Sequence, residues 1–245
     1  MRPFFTEKYG NPSEPHHLGQ EARRAIEKAR NQTAKSFQAQ AEEIIFTSGA
    51  TEAINLAHRG LIEAIRTKNP KIKPHIITSQ IEHKAVLETC KHLEKLGWAE
   101  VTYLGVDKDG LVEPQAVVKA IKPQTVLVSM MLVNNEVGTI EPIEAISRLL
   151  KKADHKIYFH TDATQAIQYL DCQADKLGVD LLSFSGHKLY APKGIGVLYV
   201  KKGMPLIRQQ DCGSQENGFR AGTENVASIV GLGKAIELVS QLRVN

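Results

Sequence analysis

The chain of 245 residues is 42% hydrophobic and 24% charged, the composition of a soluble globular protein that can bury a sizeable core. Its formal net charge of +4 is small for this length, which argues against a nucleic-acid partner. No apolar run approaches the roughly 20 residues of a membrane span, and the amino terminus lacks the apolar core of a signal peptide. These features predict a cytoplasmic protein with no membrane partner.

Strands and helices alternate along most of the chain. Residues 1–14 contain Pro, Gly and Ser and are predicted to form an extended arm, followed by a helix over 15–37. Strands are predicted at 44–47, 75–78, 101–104, 125–131, 156–161, 181–184 and 194–200. Further helices are predicted at 52–66, 83–96, 114–121, 143–152 and 223–242.

This alternation predicts an α/β fold with a mostly parallel sheet flanked by helices on both faces. Strand 194–200 follows strand 181–184 too closely for a helical crossover, so we predict that it is one antiparallel strand in that sheet. Ligands of such sheets bind at the carboxyl ends of the strands. Because the sequence shows no internal repeat or linker, residues 15–245 are predicted to form one large domain.

The apolar run 181–184 ends in a turn of small residues that carries Lys188. A primary amine attacks a carbonyl only when it is deprotonated, and an apolar strand end disfavours the ammonium form. Lys188 is therefore a candidate Schiff-base lysine. The alternative is an ordinary lysine on a solvated loop.

Two other strand ends carry complementary chemistry. The turn Ser48–Thr51 opens a helix, whose free amide groups and dipole favour a phosphate, although a plain helix cap is the alternative. Asp162 follows an apolar strand and needs a cationic partner, either a pyridinium nitrogen or a structural ion pair. Together with Lys188, these features fit pyridoxal 5'-phosphate. No histidine or cysteine spacing predicts a metal site.

Six blocks of the chain carry a family resemblance: Ser48–Glu52, Glu82–Val86, Val133–Gly138, Asp162–Gln165, Ser183–Lys188 and Arg220–Asn225. In order and approximate spacing they resemble the cysteine desulfurases of the NifS/IscS type, with similarity from about Tyr9 to the end of the chain. These enzymes belong to the class V aminotransferase branch of fold-type I pyridoxal phosphate enzymes. The resemblance implies that 15–245 is the large, cofactor-binding domain of that fold.

The resemblance also implies roles for individual residues. Lys188 would hold the cofactor covalently and shuttle protons, and His83 would stack on the ring and assist as acid or base. Asp162 would pair with the ring nitrogen, and Asn135 and Gln165 would contact the ring hydroxyl. Without the resemblance, a helix-cap contact is favoured for His83, and a turn role for Asn135 stays open.

The phosphate binders implied by the resemblance are Ala50, Thr51, Ser185 and His187. They are joined by Thr223, which in this family reaches the cofactor of the other subunit. That role implies a homodimer, the usual form of a symmetric oligomer.

The chain departs from the family pattern in several places. Cys212 stands where the family tends to have glycine, and Asn217 stands where arginine is usual. The family's thiol-bearing loop and substrate-carboxylate arginine belong to a carboxyl-terminal segment that would follow Asn245. We therefore expect a chain truncated at both ends, with most of the small domain missing. Cys90, Cys172 and Cys212 are interpreted as structural or incidental.

The resemblance implies conversion of L-cysteine to L-alanine with sulfur transfer for iron–sulfur cluster or thiocofactor biosynthesis, in a truncated and impaired form. An iron–sulfur scaffold or another sulfur-acceptor protein would be the partner. One alternative is a non-catalytic paralogue that acts as a dimerisation or assembly partner. Another is a different class V enzyme, such as a selenocysteine lyase, because residues that hold the ring do not select the substrate.

Overall fold

One seven-stranded sheet organises the computed structural model, which describes residues 1–242. The strand order across the sheet is β1-β7-β6-β5-β4-β2-β3. The strands are β1 (Ile44–Thr47), β2 (His75–Ser79), β3 (Glu100–Leu104), β4 (Thr125–Met131), β5 (Tyr158–Asp162), β6 (Leu181–Ser185) and β7 (Gly196–Val200).

Strand directions place the polar strand ends at one edge of the sheet. Strands β2 to β6 pair in parallel, whereas β7 runs antiparallel to both β6 and β1. The predicted α/β class and the antiparallel strand are therefore confirmed. Because β7 lies between β1 and β6, the turn after β1 meets the turn after β6 across the first residue of β7.

Helices cover both faces of the sheet. They are α1 (His17–Phe37), α2 (Ala50–Lys68), α3 (Lys84–Lys95), α4 (Pro114–Lys119), α5 (Ile143–Leu150), α6 (Ala174–Leu177) and α7 (Val226–Leu242). Buried residues of α2 and α3 form one apolar cluster, and those of the other five helices belong to a second. Successive residues of β1 alternate between these clusters, because neighbouring side chains of a strand point to opposite faces.

The structure differs from the predicted elements most clearly in three places, and several element ends are shifted as well, as in α7, which begins at Val226 rather than 223. The arm is not extended throughout, because residues Arg2–Phe5 form a 3-10 turn with proline near its start. The four-residue helix α6 was not predicted, since one turn is too short to show helical periodicity. Strand β5 includes Asp162, which makes this carboxylate the last residue of the strand.

The three cysteines occupy different environments. Cys90 and Cys172 are buried, and Cys212 is exposed. Cys90 packs in the apolar cluster of α2 and α3, and burial raises the pKa of its thiol, as expected for a small hydrophobic residue. Among the helices of residues 1–242, none combines the length and apolar character needed to cross a membrane.

Candidate active site

A cavity of about 490 Å³ opens at the carboxyl edge of the sheet. Nine of the ten residues predicted for the site line it: Ala50, Thr51, His83, Asn135, Asp162, Gln165, Ser185, His187 and Lys188. The tenth, Thr223, is exposed in the segment before α7 and does not line the cavity of its own chain. The structure thus brings the ends of five strands, β1, β2, β4, β5 and β6, to one place, and the roles of these residues stay predictions.

A glycine in β7 allows the turn at the start of α2 to lie close to the end of β6. A Cβ atom on Gly196, the first residue of β7, would lie 2.5 Å from the Cα atom of Gly49. That distance is shorter than any real contact, so only glycine fits between the two turns. A Cβ atom on Gly49 would lie 3.6 Å from Ser185 Oγ. The hydroxyl of Ser185 therefore sits beside the free amide groups that begin α2.

Basic and hydroxyl side chains surround the same end of the cavity. Ser185 Oγ and His187 Nδ1 lie 2.8 Å apart, within hydrogen-bonding distance. Burial lowers the pKa of His187, and the positive charges of Lys188 and Lys193 lower it further. Both lysines line the cavity. This end combines amide donors, a hydroxyl and ammonium groups, which is the donor set that binds phosphate.

Asp162 places a buried carboxylate in the cavity, and a buried carboxylate needs a cationic partner. The residue is 5% exposed, and its Oδ1 accepts hydrogen bonds from Thr164 N at 3.0 Å and Thr164 Oγ1 at 2.6 Å. Burial raises its pKa above the ordinary value, against the lowering effects of Thr164 and His83. Within residues 1–242, no basic side chain forms an ion pair with it. A cationic group in the cavity would remove this burial cost.

His83 makes the helix-cap contact and lines the cavity as well. Its Nδ1 accepts a hydrogen bond from Ala85 N at 3.1 Å, at the first turn of α3. In the neutral ring the proton therefore lies on Nε2. The two interpretations of His83 are compatible, because the cap contact fixes the orientation of a ring that borders the cavity.

Asn134, rather than its neighbour, fills the turn role that was considered for Asn135. The side-chain oxygen of Asn134 accepts hydrogen bonds from Glu136 N and Val137 N, and its amide donates to Ile81 O. The side chain of Asn135 donates to Glu136 Oε1 at 2.6 Å and remains at the cavity. The predicted position of Asn135 at the site therefore does not depend on the turn.

Lys188 lies on the short 3-10 turn Gly186–Leu189 that follows β6. Its side chain lines the cavity, but the residue is exposed. The prediction that the apolar strand end desolvates this amine is therefore wrong, because the strand end does not cover the residue. Lys188 lies at the edge of the cavity, and β6 does not cover its side chain. Any desolvation of the amine would come from a molecule bound in the cavity.

Several residues of the site were missed by the sequence interpretation. Glu52, Thr164 and Lys193 line the cavity, and Glu82 is buried beside it. Glu82 lies next to His83 in one of the six blocks, and only its position in that block could have suggested it. Lys193 stands on the loop before β7, where no periodic pattern exists to mark it.

Glu82 predicts a measurable pH dependence of stability. Its Oε1 accepts hydrogen bonds from Met131 N at 2.9 Å and Ser79 Oγ at 3.0 Å, and burial raises its pKa to about 8. A carboxyl whose pKa is raised on folding makes its full contribution to stability when the pH is below the pKa of the unfolded chain, near 4.5. This contribution is lost as the pH rises toward 8, at up to about 1.4 kcal/mol per pH unit.

The measurement is urea unfolding of the wild type and of Glu82→Gln between pH 5 and 8. The unfolding free energy of the wild type minus that of Glu82→Gln is expected to fall steadily from pH 5 to 8, because only the wild type has the titrating carboxyl. A difference that stays constant with pH would show that Glu82 is ionised in the folded protein.

Comparison with known proteins assigns the chain and its fold to a family. The profile of the family "Aminotransferase class-V" matches residues 1–245. The chain is 55% identical over 238 residues to the cysteine desulfurase IscS of Dictyoglomus turgidum, covering 97% of this chain and 59% of that protein. It is 48% identical over 235 residues to a mitochondrial cysteine desulfurase of Arabidopsis thaliana, covering 94% of this chain and 50% of that protein.

Solved structures agree with this assignment. A protein described as NifS-like superposes with a TM-score of 0.94 at 43% identity, covering 99% of this chain and 65% of that one. The protein SspA, solved in complex with cysteine, superposes with a TM-score of 0.90 at 44% identity, covering 96% of this chain and 67% of that one. The chain thus spans 50–59% of the length of the two curated relatives named above. On its sequence and its fold, this chain belongs to the class-V aminotransferase family.

Proposed function

We propose that this chain forms the cofactor-binding part of a pyridoxal 5'-phosphate-dependent cysteine desulfurase. One observation carries the proposal. A lysine, a buried carboxylate without a basic partner among the described residues, and an anion-binding helix start line the same cavity. Its volume of about 490 Å³ lies within the range of roughly 300–1,000 Å³ that is typical of cofactor sites.

The chemistry of the lining residues fits this cofactor. Its pyridinium nitrogen would supply the cation that Asp162 lacks, and its phosphate would occupy the donor-rich end of the cavity. The phosphate would be held by Ala50, Thr51, Ser185 and His187, with the ring hydroxyl near Asn135 and Gln165. His83 would lie against the ring. When bound, the cofactor acts as an electron sink for negative charge that develops on the substrate.

The residues of the chain have separate tasks in this proposal. The amine of Lys188 would attach the cofactor and move a proton at the reacting carbon of the substrate. Asp162 would keep the ring nitrogen protonated, because a buried carboxylate stabilises a neighbouring positive charge. His83, with its Nε2 proton, would act as the second acid or base.

The substrate and the partners are part of the proposal. Relatives at 48–55% identity are named cysteine desulfurases, and SspA was solved with cysteine, which supports L-cysteine as substrate and L-alanine as product. The sulfur would pass to an acceptor protein, such as an iron–sulfur scaffold. The exposed position of Thr223, outside the cavity of its own chain, supports the proposed contact with the cofactor of a second subunit.

The proposed function is tested by titration with pyridoxal 5'-phosphate, followed by addition of amino acids. We expect a new absorption band on cofactor binding and a change of that band with L-cysteine but not with L-aspartate. A protein that shows no band contradicts cofactor binding. A band that no amino acid changes contradicts the desulfurase assignment and favours a non-catalytic module.

Asp162→Asn is expected to weaken cofactor binding. Asparagine keeps the shape and the acceptor for Thr164 but loses the charge that pairs with a pyridinium. Because hydrogen bonds to charged groups contribute about 1.5–3 kcal/mol, the dissociation constant should rise roughly tenfold to a hundredfold. Fluorescence titration measures it, with Asp171→Asn as control, since Asp171 forms an exposed pair with Lys176. Equal affinities of wild type and Asp162→Asn would contradict the role of Asp162.

A further inference from the structure

Arg220 contacts the turn at the start of α2 through a single carboxylate. Arg220 Nε donates to Glu52 Oε1 at 2.9 Å, and Ser48 N donates to Glu52 Oε2 at 2.9 Å. The side chains of Arg220 and Glu52 are 24% and 19% exposed. The carboxylate thus joins two segments that lie far apart in the sequence, and one of its hydrogen bonds goes directly to the turn proposed to hold the phosphate.

Glu52 is an unfavourable neighbour for an anion. It lies in the first turn of α2 and lines the cavity. Burial opposes its ionisation, but hydrogen bonds from Arg220 and Ser48 outweigh burial and lower its pKa, so the group is ionised at neutral pH. A bare carboxylate there would compete with a phosphate for the dipole and amide groups of the helix. The guanidinium of Arg220 compensates this charge.

The segment that carries Arg220 is itself fixed to the sheet. Glu216 is held by Arg30 and by Phe46 N of β1, and Gly222 N donates to Gln215 Oε1 at 3.1 Å. Arg220 lies between Glu216, which is bonded to β1, and Gly222, whose hydrogen bond to Gln215 closes the segment on itself. Its guanidinium therefore reaches Glu52 from a segment that is hydrogen-bonded on both sides, which suits a residue that orients another.

We propose that Arg220 is a positioning residue for phosphate binding: through Glu52 it holds the turn Ser48–Thr51 in place and neutralises the carboxylate beside the anion site. This inference rests on the proposed function, because the phosphate is that of the cofactor. It assigns no contact between Arg220 and the cofactor itself. Loss of Arg220 leaves Glu52 uncompensated, and that charge acts on the phosphate and not on the ring.

The test compares two ligands that differ only in the phosphate, pyridoxal 5'-phosphate and pyridoxal. Arg220→Gln is expected to bind pyridoxal 5'-phosphate about tenfold more weakly than the wild type, and pyridoxal within about twofold of it. Arg220→Lys, which keeps the charge, should recover most of the loss. Arg208→Gln is the matched control. It removes the same charge as Arg220→Gln, but Arg208 forms an exposed pair with Asp211.

A double-mutant cycle with Glu52→Gln tests the mechanism. Glutamine keeps an oxygen for Ser48 N but loses both the bond from Arg220 and the charge beside the anion site, so Glu52→Gln alone should weaken binding of pyridoxal 5'-phosphate less than Arg220→Gln does. In that background, Arg220→Gln should have less than about a threefold effect. The single variant Glu52→Gln also provides a test if Arg220→Gln fails to fold, because a tenfold loss for both ligands in it would overturn the inference.

The outcomes separate this inference from the proposed function. Equal losses for both ligands in Arg220→Gln, or no loss for either, would overturn the positioning role while the cofactor site stands. A loss that persists in the Glu52→Gln background would overturn the role of the carboxylate. A wild-type protein that binds neither ligand would overturn the proposed function and this inference with it.

Discussion

Lys188→Ala is expected to abolish covalent attachment of pyridoxal 5'-phosphate and the absorption band that accompanies it. Lys188 follows the buried strand β6 directly and lines the cavity that also contains Asp162 and the start of α2. Alanine removes the only atom of this side chain that can bond to an aldehyde, so the loss should be complete. Residual affinity should remain, because the variant keeps Ala50, Thr51, Ser185 and His187, which are proposed to hold the phosphate.

The measurement is absorption spectroscopy of the purified variant after incubation with the cofactor and gel filtration. Lys193→Ala is the matched control, since Lys193 lines the same cavity but lies on the loop before β7. We expect the control to keep the band and to release the cofactor more easily. If Lys188→Ala keeps the band and Lys193→Ala loses it, the attachment site is assigned to the wrong lysine.

Glu216→Gln is expected to lower the free energy of unfolding by up to about 3–5 kcal/mol, because it leaves the buried guanidinium of Arg30 with the half-exposed Glu27 as its remaining counter-charge. Both oxygens of Glu216 lie 2.8 Å from nitrogens of Arg30, and Phe46 N donates to one of them. The Arg30 and Glu216 side chains are 7% and 2% exposed. Water therefore cannot replace the lost acceptor without opening the edge of β1.

Urea unfolding measures this loss. The control is Glu144→Gln, whose pair with Arg148 is exposed and should contribute at most about 1 kcal/mol. Replacing both partners by apolar residues, Arg30→Met with Glu216→Leu, should be less damaging than Glu216→Gln alone, because no charge is left unpaired. Equal unfolding midpoints for Glu216→Gln and Glu144→Gln would contradict the buried-pair interpretation.

The sequence predicted the elements and the edge at which the site lies. Apolar runs of strand length separated by helical periodicity imply a parallel sheet, and parallel strands bring their carboxyl ends together. Strand β7 could be assigned an antiparallel direction because too few residues separate it from β6. Its other neighbour, β1, could not be predicted, since that pairing joins segments about 150 residues apart and no local pattern specifies it.

For the site as well, local sequence features could be predicted and long-range contacts could not. Residues at or just after a strand end, such as Asp162 and Lys188, could be found from their place after an apolar run. The contact between Glu52 and Arg220 could not, because it spans 168 residues. The backbone conformation of Glu216, with φ of 49°, could not be predicted either, since glutamate rarely adopts a positive φ. Tertiary contacts, rather than local propensity, fix these residues.

Reductive trapping with borohydride, followed by peptide mass spectrometry, tests the central claim most directly. After incubation with pyridoxal 5'-phosphate and reduction, we expect the added mass of the cofactor on the peptide that contains Lys188, and on no other peptide. A label on a different lysine, or no label in a folded protein saturated with the cofactor, would contradict it.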